Sequence, residues 1–423
     1  MHRTGLKVAV IGGGVVGLST ALWLQRSGHQ VVVIDPAPPL PGIGFRGAAS
    51  FGNAATIAPS GIFPVASPGI LWRVPGMMLD REGPLSLYWA DLPDLLPWLT
   101  AFVLASGMKK FDRLTSELSG LMRLVESGHA PLMAEADCVQ PRRGEGSIHL
   151  YRSTAEMDGV RPALARRNHE GIRARLLSRD EIRAMEPNLA EDYAGGAIFE
   201  DCYILDSPED YCRELARAIQ RRGGQFVQAR CKGVDSTTDG VSVRTSGRAV
   251  TADRAVIAAG AWSRRIARAS GQRLNMNTER GYHVAFAPHA GLLNHAVMYP
   301  SDGFFLTPLD HQIRAAGTVE LGGLDKPARE VRLRVLEAKA RRMVPALGER
   351  QDQWLGFRPS SPDSKPFIGP SARDPRILFA CGHGHMGVTL AGITGLLISQ
   401  VVDGKTPMLD LAPFSPGRPL MRI

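Results

Sequence analysis

Gly12, Gly14 and Gly17 stand in G-x-G-x-x-G spacing, and an acid, Asp35, follows them. The chemistry that this spacing serves is dinucleotide binding. Gly12 makes a tight turn, Gly14 lets the backbone approach a pyrophosphate, and Gly17 lets a helix pack closely on a strand. Free N–H groups where that helix starts, at Val15 and Val16, point at phosphate. Asp35 can accept hydrogen bonds from a ribose 2′-hydroxyl, which disfavours NADP. A second glycine-rich stretch, CGHGHMG at 381–387, carries His383 and His385. No C-x-x-C, H-x-x-H or acid cluster suggests a metal.

A glycine motif carries weight only when the elements around it fit. Residues 6–11 are a short, β-branched apolar run and read as a buried parallel strand. Residues 15–27 read as a helix stopped by Gly28, and 30–34 as a second strand closed by Asp35. Residues 36–61 are too rich in Gly, Pro, Ala and Ser for regular structure; the loop crosses over the bound cofactor, with Ser50 and Asn53 among its few polar side chains. Residues 62–107 are apolar and interrupted by prolines, so short helices are expected; an exposed face there, with Trp72, Trp89 and Trp98, would touch a membrane. Helices are predicted at 109–134, 157–171 and 177–185, the last with a Ser178–Glu181 capping box. Another begins with Ser207 as N-cap and Pro208 at its first position, and stops at Gly223. Strands are predicted at 144–151, 195–199, 226–229, 241–245 and 249–251. The all-apolar strand at 255–259 lies so far from the first pair that the nucleotide domain must be discontinuous. Four closely spaced strands, 281–287, 295–299, 303–308 and 313–319, indicate an antiparallel sheet. After a helix at 329–343, residues 356–371 read as a Pro-rich connector. A strand at 376–380 and a helix at 386–402 then form a second strand–glycine turn–helix unit.

With 423 residues, 44% of them hydrophobic, the chain can bury a sizeable core in two or three domains. The net charge of +9 gathers at 161–183 and 329–342, where interleaved acids and helix-period apolar residues indicate solvated helix faces. No aromatic interleaving points to nucleic acid. No stretch reaches the ~18 unbroken apolar residues of a membrane span, and MHRTG running into a strand reads as no signal peptide. The cysteines, Cys138, Cys202, Cys212, Cys231 and Cys381, are scattered and read as reduced thiols of a cytoplasmic protein. A peripheral contact with the inner membrane through 62–107 is the accompanying expectation.

Five stretches occur in order between residues 6 and 402: VAVIGGGVVGLSTALWLQRSGHQVVVID, SFGNAATIAP, AVIAAGAWS, GFRPSSPDSKPFIG and CGHGHMGVTLA. Together they give a chain that resembles the D-amino-acid oxidase-like FAD-dependent oxidoreductases, in particular the bacterial D-amino-acid dehydrogenases. The resemblance implies an α/β fold: a discontinuous Rossmann-like FAD-binding domain plus an α+β substrate domain with an antiparallel sheet. The corresponding division is 1–90, 206–270 and 351–423 for FAD, with 91–205 and 271–350 for substrate. It also implies that Gly12, Gly14 and Gly17 hold the FAD pyrophosphate and Asp35 the adenosine ribose. Ala49, Ser50, Asn53 and Ala54 would pass along the isoalloxazine, Cys231 would contact the adenine through its backbone, and Gly260 and Trp262 would flank the cofactor. Gly382, Gly384, His385, Met386, Gly387, Val388 and Thr389 would aim a helix N-terminus at the flavin N1–C2=O edge, where reduced flavin carries negative charge.

Within the same resemblance, Arg358 is the arginine that pairs with the substrate carboxylate. Tyr282, beside Arg280, either reaches the substrate or packs. His383 and His385 fit a structural or flavin-contacting role better than acid–base catalysis. Two departures stand out: Asn53-Ala54-Ala55 replaces Asn-Ala-Gly, so the chain is expected to pass less closely to the flavin; and Gly356 stands where some sarcosine-oxidising relatives carry a flavin-linked cysteine, so FAD is expected to be non-covalent. The implied reaction is oxidation of an amine next to a carboxylate, with hydride transfer to flavin N5 and hydrolysis of the imine. The alternatives are a secondary or cyclic amino acid such as D-hydroxyproline, sarcosine or glycine, or a flavoprotein subunit that needs partners. Quinone, oxygen and a partner protein all remain open as electron acceptor.

Overall fold

The computed structural model describes residues 5–80, 83, 85–137, 142–143 and 146–420. Cys138, and residues 144 and 145 of an expected strand, lie outside them. The apolar runs of the nucleotide unit form a six-stranded sheet in the order Gln225–Gln228, Gln30–Asp35, Lys7–Ile11, Arg254–Ile257, Ile377–Cys381, Phe367–Pro370. All neighbours pair in parallel except the last two strands. Both faces are covered, which is why these strands are apolar throughout instead of alternating. Val8, Val10, Val31 and Val33 pack beneath the helices Val15–Arg26 and Gly387–Val402. Ala9, Ile11, Val32 and Ile34 face a small antiparallel sheet, Cys231–Ser236, Val241–Thr245 and Val250–Ala252.

The stretch expected as one helix over 109–134 forms two, Met108–Met122 and Val125–Glu135. They share the nucleotide core: Leu121, Val125 and Leu132 pack with Leu18, Leu22 and Leu397. Close approach explains the attachment. A Cβ on Gly128 would lie 2.1 Å from the Ile393 nitrogen, and one on Gly392 would lie 2.5 Å from the Gly128 carbonyl. Residues 91–205 therefore do not belong wholly with the second sheet, as the sequence division had them.

That second sheet runs Arg350–Ser360, Asn277–Phe286, Gln312–Leu321, Phe304–Leu309, Ala296–Tyr299, Ser147–Tyr151, Gly195–Phe199, Ala174–Leu177. Leu85–Leu87 adds a further strand beside residues 319–321. The pairing is antiparallel apart from that strand and the 296–299 to 147–151 ladder. Helix Glu330–Met343 buries Leu333, Leu336 and Ala340 against Val284, Phe286 and Ile313.

The Pro-rich connector expected over 356–371 is instead two strands, one in each large sheet. Both lie at sheet edges, where proline's missing N–H faces no partner strand. The same chain leaves the second sheet at Ser360 and enters the first at Phe367. Residues 62–107 form separate helices as expected, among them Ile70–Leu79 and Leu92–Ala105; the second has Pro93 in its first turn and carries Pro97 inside it. The Ser178–Glu181 capping box and the Ser207 cap form as the sequence predicts.

Candidate functional site

A cavity of about 550 Å³ runs from the carboxyl ends of the parallel strands to one face of the second sheet. The glycine turn forms one end. Gly12 has φ +119°, and a Cβ there would meet the Ala258 carbonyl at 2.3 Å. A Cβ on Gly17 would lie 2.0 Å from the Gly12 oxygen, so Gly17 serves packing and does not line the cavity. Gly14 does line it, with only Ser50 Oγ near its missing Cβ, at 3.7 Å. Helix Val15–Arg26 has no side-chain cap and no acid in its first turn. The Val15 N–H is bound by Ser50 Oγ at 3.3 Å, which leaves the other opening N–H groups to serve an anion in the cavity. Val15 and Val16 line the same wall.

Asp35 accepts the Gly13 N–H at 2.6 Å and the Ala37 N–H at 2.7 Å. Burial raises its pKa, and those two bonds oppose the rise. Each carboxylate oxygen keeps a second lone pair for a hydroxyl donor. Cys231 lines the cavity near this end with its thiol donating to the Gly233 carbonyl.

Ala49, Ser50, Gly52 and Asn53 form the middle of the cavity wall; Ala54 lies outside it. The carbonyls of this loop are held by the second sheet. Arg314 Nη1 donates to Phe51 O and Asn53 O at 3.1 and 3.0 Å, His283 Nδ1 reaches Gly52 O at 3.0 Å, and Thr307 donates to Ala54 O at 3.0 Å. Ala55 takes φ +57°, a left-handed conformation, and its N–H is bound by Asn53 Oδ1 at 2.7 Å. His283 also stacks on Trp354, with ring centroids 5.3 Å apart. Burial pushes His283 down to about 3, so it is neutral.

At the far end the sheet offers a floor. Gly281 and Gly356 are register partners, as are His283 with Trp354 and Glu279 with Arg358. A Cβ on Gly281 would lie 2.3 Å from the Arg358 guanidinium carbon, and one on Gly356 would lie 1.7 Å from the Trp354 ring. The glycine pair thus lets Arg358 and Trp354 fold over it, side by side, along the cavity. Arg358 Nη1 donates to Thr318 O at 2.8 Å. Position 356 offers no thiol, and burial raises the pKa of both thiols that line the cavity, Cys231 and Cys381. Gly260, with φ +51°, and Trp262 complete the wall; Trp262 meets Phe357 edge-on at 5.7 Å.

The second glycine turn supplies a second uncapped helix. Gly387–Val402 has neither a side-chain cap nor an acid in its first turn. Gly384, His385, Gly387 and Val388 line the cavity. Three neighbours do not. Gly382 supplies a turn at φ +81°, Met386 packs against Gly61, and Thr389 Oγ1 accepts the Ala58 N–H at 3.0 Å. His383 is buried, bound to Thr394 Oγ1 at 2.9 Å and pushed down to about 3. His385 is 39% exposed and pairs through Nε2 with Glu279 Oε2 at 2.7 Å.

Tyr282 packs, the second of its two expected roles, and does not line the cavity. It is 1% exposed, and its hydroxyl donates to Glu320 Oε1 at 2.8 Å on the opposite side of the strand from Gly281. Arg280 lies there too, in a fully buried ion pair with Glu320 at 2.8 Å. Period-2 alternation puts Glu279, Gly281 and His283 on the cavity face and turns 280 and 282 away. Glu279, Gly281, His283, Arg314 and Trp354 were missed; for the first three the signal was a run of polar residues, NTERGYH, inside an otherwise apolar strand pattern. Gly281→Ala is expected to displace the guanidinium, whose flexible far end can move, and to raise KM by about tenfold or more. FAD content and melting temperature should stay near native; equal KM would show that Arg358 does not bind substrate from this position.

The residues fit FAD. A glycine cradle and an uncapped helix suit a pyrophosphate, Asp35 suits a ribose, and a second uncapped helix N-terminus suits an anionic ring edge. Residues 7–401 match the DAO family, FAD dependent oxidoreductase. The D-amino-acid oxidase of Bradyrhizobium diazoefficiens is 34% identical over 98% of this chain and 99% of its own. The D-amino acid dehydrogenase of Methylobacterium nodulans is 30% identical, again over 98% and 99%. The crystal structure of glycine oxidase from Geobacillus kaustophilus superposes with a TM-score of 0.74 at 23% identity, covering 99% of this chain and 100% of that one.

Proposed function

The chain belongs to the DAO family of FAD-dependent oxidoreductases, and from that premise we propose that it oxidises a D-amino acid to an imino acid, which water hydrolyses to a 2-oxo acid. The observation that carries the proposal is Arg358, a guanidinium laid over Gly281 into the cavity, on the wall that also carries the Gly387–Val402 helix start. FAD, when bound, supplies the acceptor for the substrate hydride. The chain does the rest. Arg358 fixes the carboxylate by paired N–H bonds and so aims the Cα–H bond. Trp354, Trp262 and Phe357 wall the site with apolar surface and exclude water. The helix start at Gly387 favours negative charge at that end of the cavity.

Anaerobic mixing of the FAD-loaded protein with a panel of D-amino acids tests this. Bleaching of the flavin absorbance by D- but not L-enantiomers is the expected result. Bleaching by glycine, sarcosine or D-hydroxyproline alone would establish the second reading, which the glycine oxidase likeness and the flat Arg358–Trp354 floor favour.

The reading extends to a peripheral membrane contact from the cytoplasmic side. Trp72 is 90% and Trp89 70% exposed, and Leu71, Leu96, Val103 and Met108 are exposed near them in sequence. Lys109 and Lys110 follow. Such a mix suits an anionic lipid surface. The described helical segment with the length and composition to span a membrane, Gly384–Val402, is instead 67% buried and packs on the nucleotide sheet. Trp72→Ser with Trp89→Ser should cut sedimentation with anionic vesicles by about tenfold, and native protein should be reoxidised faster by quinone than by oxygen. Unchanged sedimentation would remove the membrane contact from the reading.

A further inference from the structure

We infer that His385, oriented by Glu279, takes the proton from the substrate's α-ammonium group. The inference rests on the amino-acid reading above. Glu279 is a carboxylate 5% exposed on the second sheet, a place where an unpaired charge would be prohibitively costly. Burial would raise its pKa, but His385 and Arg358 together hold it below the usual carboxylate value. Glu279 Oε2 lies 2.7 Å from His385 Nε2 as an ion-pair contact, and because an ionised carboxylate only accepts, the contact favours the tautomer with the proton on Nε2. Nδ1 is then the acceptor. It has no hydrogen-bond partner among the described residues, and the ring lines the cavity, partly exposed.

This is the arrangement of a base held by an orienting acid. Glu279 is the positioning residue, and His385 touches the substrate. The register places the pair where the reaction needs it. Glu279 and Arg358 are cross-strand partners, so their Cα atoms lie about 5 Å apart. An α-amino acid carries its nitrogen one carbon from its carboxylate. The Arg358 guanidinium lies over Gly281, and both it and His385 line the cavity, so a carboxylate on Arg358 leaves the ammonium in the cavity that the imidazole lines. The Nδ1 lone pair takes the proton, an N–H bond of the ammonium breaks, and its electron pair stays on the now neutral amine. That pair can then assist departure of the Cα hydrogen as hydride. The imidazolium formed is stabilised by Glu279. The other charged or titratable groups facing His385 are few: Arg358 comes from the edge strand, and His383, in the same turn, is buried and turned to Thr394. Arg280 and Tyr282 face Glu320 on the other side of the strand.

The test is the pH profile of kcat/KM in native, H385Q and E279Q holoenzymes, with whichever amino acid bleaches the native flavin. The native profile should be flat over a range of pH below the pKa of the substrate ammonium. H385Q and E279Q should instead rise tenfold per pH unit toward the substrate's own pKa and approach the native value there. E279D should restore much of the plateau; it also serves if E279Q fails to fold. As a second readout, benzoate, a carboxylate with no amine, is titrated by its perturbation of flavin absorbance. Its Kd should stay within about threefold of native in both variants, since no proton needs removing. Variant profiles that run parallel to native, lowered equally at every pH, would overturn the assignment and leave the amino-acid reading standing. Absence of bleaching by any amino acid would overturn both.

Discussion

Arg358→Ala is expected to lower kcat/KM by about a thousandfold, with KM rising steeply and kcat falling as well. Losing one partner of a desolvated, hydrogen-bonded charge pair typically costs 2–5 kcal/mol, which spans about thirtyfold to several thousandfold. Arg358 belongs near the upper part of that range because it is both anchor and aiming device. Its guanidinium is fixed by Thr318 O and lies against Gly281, so the carboxylate position is set before substrate arrives. Binding without orientation would show as a KM effect alone; loss of both terms indicates orientation. Arg358→Lys should recover only part of the loss, since an ammonium offers a point charge in place of a planar fork. The measurement is anaerobic flavin bleaching at matched FAD content. Normal KM and kcat in the alanine variant would sink the assignment of Arg358 to substrate.

The second large effect is on stability. His149, His283 and His383 are buried, and burial pushes each down to about 3 from an ordinary 6.5. A histidine depressed in the folded state is neutral there while the unfolded chain takes up a proton. Its contribution is therefore complete above pH 6.5 and is lost as pH falls from 6.5 toward 3. Each such group removes up to about 1.4 kcal/mol per pH unit. Three together exhaust a stability of 5–15 kcal/mol within a few units, so unfolding is expected near pH 4. Thermal melts at half-unit steps measure it. His149 sits between Phe199 and Phe305, with ring centroids 4.5 and 5.8 Å away. His149→Leu should accordingly shift the acid midpoint down; a midpoint identical to native would show that this ring titrates freely in the fold.

The nucleotide half of the site was legible because its causes are local. The Gly12 turn, the Gly17 contact and the Asp35 acid lie within one strand–helix–strand unit, and each requires a particular residue type. Arg358, His385, Gly260 and Trp262 were named from the resemblance, and all four line one cavity. Tyr282 stayed undecided between substrate and core because its face depends on strand register, which a bulge between Arg280 and Tyr282 alters on the neighbouring strand. Glu279 was invisible for a different reason. A lone acid in a strand means little until the turn 106 residues later (from 279 to 385) delivers its histidine. Residues 356–371 misled because proline was read as a breaker, without knowing that both strands would be edges.

The loop that carries Phe51 to Ala54 has a consequence for modularity. Its carbonyls are bound by Arg314, His283 and Thr307, all from the other sheet, and the strand that ends at Ser360 continues into the nucleotide sheet at Phe367. Neither half is a transferable cassette. A graft of the nucleotide half onto another sheet would inherit the Gly12 turn but lose the scaffold of its own Phe51–Ala54 cavity wall. Changing what this chain oxidises is therefore a matter of side chains on the cavity face, with the shared seam left intact.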